Sequence, residues 1–538
     1  MELRASAFPV SAFRQLPVLA AGLIIALPVV IVLATGLADG GGAAWTHIRD
    51  TLLLRYLAGT VSVLTLTAIL CLLMAVPAAW IVTMFRFPGR GVFEWLLVLP
   101  LAAPGYVLAY AWSDLAGVGG PMQSALREAT GWSARDYWFP DISSLPGLAF
   151  VLACTLYPYV YLTARAAFIS QSVCTLEAAR SLGAGAGRTF WSVALPAARP
   201  AIAAGLALAL MEAAADYGAA EFLGVPTLTY GIVRAWKSFG EPAAAARLAF
   251  VLLALILTFV IVERQARGRA GIQQSSIRWR QISRVDLKGP AAAGALALCT
   301  GIFTLAFALP VGRLLWRSLE AGTRSAPVMD ALGNSLLLAA AGATMAFILA
   351  LIIALSIRAK GPLATFARIA ASSGYAIPGA VLALGALAVI SVLPVTLSGG
   401  VALAALAWVY AVRFTAAGTE PMAAALARAP ASIGHAAQSL GASPFRRTIA
   451  VDLPVAMSGA AAAALVLFVE ALKELPATLM LRPFNWDTLS VRAHAYASDE
   501  RLAAAALPAL LITCAGLLPV ILLTWQMSRA RPGTQSDA

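Results

Sequence analysis

Four carboxylates stand where carboxylates are costly. Glu212 and Asp216 fall in one apolar stretch, Glu470 and Glu474 in another. Each pair is spaced i, i+4, which on a continuous helix puts both acids on one face. Acids within an apolar segment usually face a cavity or a charged partner. The chemistry they offer is ion handling along a translocation path, with Lys473 offsetting part of the second pair. Polar contact between helices, or a hinge, is the alternative reading. Bond-making chemistry has less support. His47, His435 and His494 lack metal-ligand spacing, and no Ser/His/Asp set or nucleophile elbow is present. Cys71, Cys154, Cys299 and Cys514 lie in apolar runs and Cys174 in a loop, without CxxC spacing. They read as small buried hydrophobes. None of the four lysines (Lys237, Lys288, Lys360, Lys473) follows a glycine, so the chain carries no Walker A phosphate loop.

The elements that must position these acids are membrane helices. Of 538 residues, 61% are hydrophobic and 12% charged, with a mean hydropathy of +0.84. A soluble globule could not cover so much apolar side chain. Windows of about 20 residues predict twelve spans. They lie near 16–38, 57–83, 93–116, 146–168, 200–222, 244–263, 291–312, 334–357, 369–393, 400–420, 457–480 and 503–527. The first apolar run is longer than a cleavable signal core and reads as a retained span. With twelve spans both termini share one side. That side holds 24 of the 38 Lys and Arg residues, so both termini are expected in the cytoplasm. The net charge of +13 then reads as a basic girdle against anionic membrane lipid, with no nucleic acid partner.

The chain is internally duplicated. EAARSLGAGAGRTFWSVALP (177–196) and HAAQSLGASPFRRTIAVDLP (435–454) match at an offset of 258, which also aligns Glu212 with Glu470 and Asp216 with Glu474. Pro104-Gly105 matches Pro378-Gly379 at 274. Both Pro-Gly pairs are expected to break a helix. The fold class expected is therefore all-α integral membrane, twelve helices as two parallel six-helix repeats. Residues 1–270 form the first half, 271–290 a basic linker and 291–538 the second half. The repeated loops, 169–199 and 423–456, suit docking into another protein's groove. Thr175 can cap a short helix, Ala178, Ala179 and Leu182 give a compact apolar side, and Gly183 ends it.

The pattern EAA-x3-G-x9-Φ-x-LP (Φ aliphatic, here Val193 and Val451) resembles the EAA loop of binding-protein-dependent ABC importer permeases. That resemblance implies an ATPase-coupling role for Glu177, Ala178, Ala179, Gly183, Leu195 and Pro196. In the second half it falls on His435, Ala436, Ala437, Gly441, Leu453 and Pro454, with His435 replacing the first glutamate. The segments 211–236 and 471–511 are similar to the fused, twelve-helix ferric-iron importer permeases. The resemblance implies a type I ABC permease in the bacterial inner membrane, served by two copies of an ABC ATPase and a periplasmic binding protein. ATP and Mg would sit on the ATPase, with no cofactor in this chain. Glu212, Asp216, Glu470 and Glu474 would line the path, where hard Fe(III) would favour carboxylate and phenolate oxygen. No metal ligand set is assigned. The alternatives are thiamine, phosphonate or polyamine cargo, or an ion-coupled secondary transporter.

Overall fold

The computed structural model describes residues 10–37, 42–170, 185–267, 284–321, 326–357, 361–394, 396 and 398–529. Regular structure there is helical except for one two-stranded parallel pair, β1 (Phe85–Arg86) with β2 (Val285–Asp286). Among the described residues eight helices are long and apolar enough to cross a bilayer. Three more candidates are bent pairs, which raises the count to eleven. The sixth expected span is represented by a shorter apolar helix, Pro242–Thr258.

Two of the bends have one cause. Proline cannot donate a backbone hydrogen bond and pushes the residue before it into extended conformation. Ala103 (φ −96°, ψ 121°) and Ile377 (φ −90°, ψ 130°) are extended as expected. Pro104 and Pro378 then become the N-caps of new helices that begin at Gly105 and Gly379. The chain turns by 97° at the first break and 115° at the second. A milder bend of 61° separates Phe445–Met457 from Ala460–Leu472.

The chain folds as two compact units that do not coincide with its sequence halves. One comprises residues 1–48, 232–250 and 325–492. In it, α1 (Val10–Leu37) packs on α14 (Pro362–Ala376) and α15 (Gly379–Val392), while α13 (Ala326–Ile357) packs on α16 (Gly399–Arg428). Its apolar centre includes Ala354, Met422, Leu426, Ala456 and Ala463, with Phe347 and Leu351 against them.

The second unit comprises 49–231, 251–324 and 493–538. Its first-half members are α2 (Leu53–Met84), α3 (Arg90–Leu96), α4 (Gly105–Ala116), α5 (Pro121–Thr130), α6 (Leu145–Ser170), α7 (Leu195–Ala215) and α8 (Gly218–Phe222). Helix α2 packs along α6, and α6 along α7. Three helices from the other half join them: α11 (Pro290–Phe303), α12 (Leu309–Ala321) and α21 (Leu502–Arg529). Helix α12 contacts α4 and α21, and α11 contacts α2 and α3. Each unit thus combines helices from before residue 268 with helices from after residue 284. Hydropathy gives no hint of this, because an apolar face does not specify its partner.

A part-buried ion-pair fork fixes one of these contacts. Asp114 of α4 accepts from Arg313 Nε at 2.6 Å and from Arg317 Nη2 at 2.8 Å, both on α12. A second oxygen contact from Arg317 Nε at 2.9 Å makes the Arg317 pairing two-pronged, the strong geometry for a guanidinium on a carboxylate.

Candidate coupling and translocation sites

The backbone of the second repeated loop is described throughout. Helix α17 (Ala431–Ser439) holds His435, Ala436 and Ala437. Gly441 takes φ +78°, the left-handed conformation that favours glycine. The Ala442 N–H donates to the Ala437 carbonyl at 3.0 Å and Leu440 N–H to Ala436 at 3.0 Å. The first of these is the six-to-one bond of a Schellman ending. It turns the chain sharply and leaves Leu440 88% exposed and Phe445 62% exposed. The loop closes through Arg447, whose Nε lies 3.5 Å from buried Asp452. Of the first copy, Leu195 and Pro196 are placed; Glu177, Ala178, Ala179 and Gly183 lie outside the described residues.

Both Leu-Pro pairs share the same local device. A single wide turn, Phe190–Ala194 or Thr448–Asp452, precedes each. Leu195 N–H donates to the Phe190 carbonyl and Leu453 N–H to Thr448, an i to i−5 bond in each case. Such π-type turns insert one residue into a helix and recur at functional sites.

The four acids are placed differently from a single helix face. Helix α7 ends at Ala215, and α18 (Ala460–Leu472) ends two residues before Glu474. Glu212 is half-buried on α7, and Glu470 pairs with Lys473 Nζ at 2.8 Å. Asp216 and Glu474 lie beyond these helix ends because each caps the next helix. Asp216 Oδ1 accepts from Ala219 N–H at 2.8 Å, and Glu474 Oε1 from Ala477 N–H at 3.3 Å. This is the ordinary work of an N-terminal carboxylate. Each also lies against the glycine of a Pro-Gly break. A Cβ at Gly105 would fall 2.6 Å from Asp216 Oδ2, and one at Gly379 would collide with Glu474 Oε1. The same acid-on-glycine arrangement therefore occurs once in each unit.

Two arginines within apolar helices, Arg165 on α6 and Arg413 on α16, hold ion pairs. Arg413 Nε lies 3.5 Å from Glu474 Oε2, with both side chains buried. Arg165 Nη2 lies 3.0 Å from Glu94 Oε1.

One polar cluster gave no sequence signal. Tyr110 Oη lies 2.7 Å from His494 Nδ1. His494 Nε2 lies 3.2 Å from Glu221 Oε2. Phe222 closes on Tyr110 edge-on at 4.6 Å, and the Tyr217 ring lies 6.1 Å from His494. Tyr110 and His494 are 384 residues apart, so only tertiary structure joins them.

The matched positions in the other unit are apolar. Glu221 is the fifth residue after Asp216, and Leu479 the fifth after Glu474. Tyr110 is the fifth after Gly105, and Leu384 the fifth after Gly379. Hydroxyls cap equivalent helix starts: Leu228 N–H donates to Thr60 Oγ1 at 2.8 Å and Leu489 N–H to Ser335 Oγ at 2.7 Å. Counting five from each leucine pairs His494 with Val233. One unit thus carries tyrosine, histidine and glutamate where the other carries leucine, valine and leucine. Tyr110→Phe is expected to cost about 1–3 kcal/mol, the penalty for a buried nitrogen left without its partner. Denaturant titration in mixed micelles measures this; an unchanged midpoint would show that the bond contributes nothing net.

Among the described residues no group of three or more His, Cys, Asp or Glu side chains is arranged to hold a metal ion.

Residues 65–269 match the family described as binding-protein-dependent transport system inner membrane component. The chain is 26% identical over 455 residues to the Fe(3+)-transport system permease protein FbpB 2 of Haemophilus influenzae, covering 83% of this chain and 84% of that one. It is 31% identical over 196 residues to the sulfate transport system permease protein CysT of Escherichia coli, 35% of this chain and 68% of the relative. It is 28% identical over 206 residues to the molybdenum transport system permease protein ModB of Escherichia coli, 36% of this chain and 86% of the relative.

Proposed function

We propose, for a chain that belongs to the family of binding-protein-dependent transport system inner membrane components, that the cargo is ferric iron. The protein is a multi-pass permease subunit of an ABC importer and not itself an enzyme. Family membership implies ATPase and substrate-binding partners. The observation that carries the iron reading is coverage. The likeness to the ferric permease runs through 83% of the chain, whereas the sulfate and molybdenum permeases match about a third.

The finer arrangement accords with the same reading. Twelve spans form two parallel six-helix repeats, 1–270 and 291–538, with both termini in the cytoplasm. Two ATPase copies dock on loops 169–199 and 423–456, through Glu177, Ala178, Ala179, Gly183, Leu195 and Pro196 and through His435, Ala436, Ala437, Gly441, Leu453 and Pro454. A periplasmic binding protein delivers cargo to the opposite face. ATP and Mg act on the ATPase, and this chain needs no cofactor. ATP binding draws the two loops together and shifts the helices between inward-open and outward-open populations. Glu212, Asp216, Glu470 and Glu474 line or support the path between them.

The test is reconstitution with ATPase and binding protein. Ferric-loaded binding protein is expected to stimulate ATP hydrolysis, while sulfate-, thiamine- and phosphonate-loaded proteins do not. Stimulation by one of these instead would reassign the cargo. Robust transport by the chain alone would defeat the ATP-driven reading.

A further inference from the structure

The cluster of Tyr110, His494 and Glu221 lies wholly within the second unit and has a matched, apolar counterpart in the other. Its members come from three elements. Tyr110 stands on α4, Glu221 on α8 and His494 on α20 (Leu489–Ser498). Two further phenols join them. The Tyr106 ring lies 5.7 Å from that of Tyr110, and the Tyr217 ring 6.1 Å from that of His494. Asp216, which caps α8, acts electrostatically on Tyr110 together with Glu221, Tyr106 and Tyr217.

Counting from the matched glycines, acids and leucines gives the counterparts. Ala380 replaces Tyr106, Leu384 replaces Tyr110, Leu475 replaces Tyr217, Leu479 replaces Glu221 and Val233 replaces His494. The neighbour of each Pro-Gly glycine differs as well. A Cβ at Gly379 would fall 2.9 Å from Arg413 Nη1, and one at Gly105 would fall 3.2 Å from Leu152 Cδ2. The other unit thus builds the same helix break from aliphatic side chains, so the fold does not demand polar ones there. Ionisable groups among apolar helices are costly and point to function.

The cluster opens at one end. Tyr106, Tyr110, Tyr217 and His494 are buried, while the Glu221 side chain is 30% exposed. Behind the carboxylate the groups stand in series. A carboxylate only accepts, so in the neutral ring the hydrogen belongs on Nε2, 3.2 Å from Glu221 Oε2. Nδ1 then accepts from Tyr110 Oη at 2.7 Å. The tyrosine sets the tautomer and plane of the imidazole, and the imidazole steers the carboxylate. Carboxylates that meet metal cations are commonly oriented by such outer partners.

We propose that Glu221 is a specificity-determining contact for a hard cation cargo, with His494 and Tyr110 as its positioning residues. This rests on the ferric reading above. Hard cations prefer oxygen ligands, and Glu221 offers one oriented carboxylate. A site on a path must also release what it holds, and a single carboxylate does not trap its cargo.

The experiment uses the whole importer in liposomes: this chain, its ATPase and ferric-loaded binding protein. Radiolabelled iron is counted inside, and ATP hydrolysis is followed in parallel. Glu221→Gln keeps the shape and removes the charge. It is expected to lower the iron delivered per ATP about tenfold or more, the loss of one contact to a charged group. The binding-protein concentration that half-saturates ATPase stimulation and the unfolding midpoint should both stay at wild-type values. A purely structural role would move them. Glu221→Asp restores the charge and should recover most of the delivery. His494→Asn should also lower delivery, and adding Glu221→Gln to it should cost little more, because the histidine acts through the carboxylate. Fully additive losses would overturn the positioning role. Tyr110→Leu, Glu221→Leu and His494→Val together copy the other unit and strand no polar partner, which guards against a folding defect in the single variants. The triple variant should lose delivery as Glu221→Gln does. Unchanged delivery by either, beside an active wild type, overturns the proposal alone. A wild type that takes up no iron from the ferric-loaded protein defeats the cargo reading and the proposal with it.

Discussion

Arg413→Met should destabilise the folded chain by about 3–5 kcal/mol, the loss expected when one partner of a buried ion pair is removed. Glu474 is only 5% exposed and the Arg413 side chain 9%. Without the guanidinium, a carboxylate remains enclosed against Gly379 with one weak amide bond from Ala477. The Glu474 backbone is also committed, because its carbonyl accepts from Thr478 Oγ1 at 2.8 Å and Ser490 Oγ at 2.9 Å. The side chain therefore cannot leave without unpicking the start of the next helix. Replacing both members, Arg413→Met with Glu474→Met, should recover most of the loss, since an apolar pair of similar volume is often neutral or better. Lys473→Met is the control. Its bond to Glu470 is short but both side chains are about a fifth exposed, so it should cost at most about 1 kcal/mol. Denaturant midpoints of the wild type, both single variants and the double variant form a mutant cycle. A near-zero coupling energy would show that the pair is incidental.

Leu440→Asp combined with Phe445→Asp should abolish ATPase association while leaving the fold intact. Both side chains are largely exposed, so the substitutions remove little packing and should shift stability by no more than about 0.5 kcal/mol each. At an interface the balance reverses. Buried apolar anchors contribute about 2 kcal/mol or more apiece, and a desolvated carboxylate adds its own penalty. Two such changes should weaken binding by roughly 1000-fold or more. Co-purification with the ATPase, read beside the unfolding midpoint, separates the two effects. Undiminished capture would remove the docking role of the 423–456 loop.

Much of this was legible in the chain itself, though unevenly. The apolar windows located the helices, and Pro104-Gly105 and Pro378-Gly379 located two breaks, because proline acts through its own covalent geometry. The end of α7 was not legible. Asp216 stops that helix by capping α8, and a hydropathy window sees only the apolar residues on both sides. The Tyr110–His494–Glu221 chain was invisible for a different reason. Each residue alone is an ordinary polar side chain, and only the folded unit brings position 494 to position 110. The fates of Arg165 and Arg413 were likewise set by tertiary neighbours, Glu94 and Glu474, that no local spacing reveals.

The exchange of helices between the halves also sets a schedule. Helix α1 is complete at Leu37, yet its main packing partners, α14 and α15, begin only at Pro362. At about 5–20 residues per second, roughly 15–65 s of synthesis separates them. Throughout that interval α1 rests in the bilayer with the face meant for α14 and α15 turned to lipid or to an attending insertion factor. The covalent join between the halves then acts as a tether in time. It keeps an early helix within reach of a late one, and ensures that the two are always made in equal number.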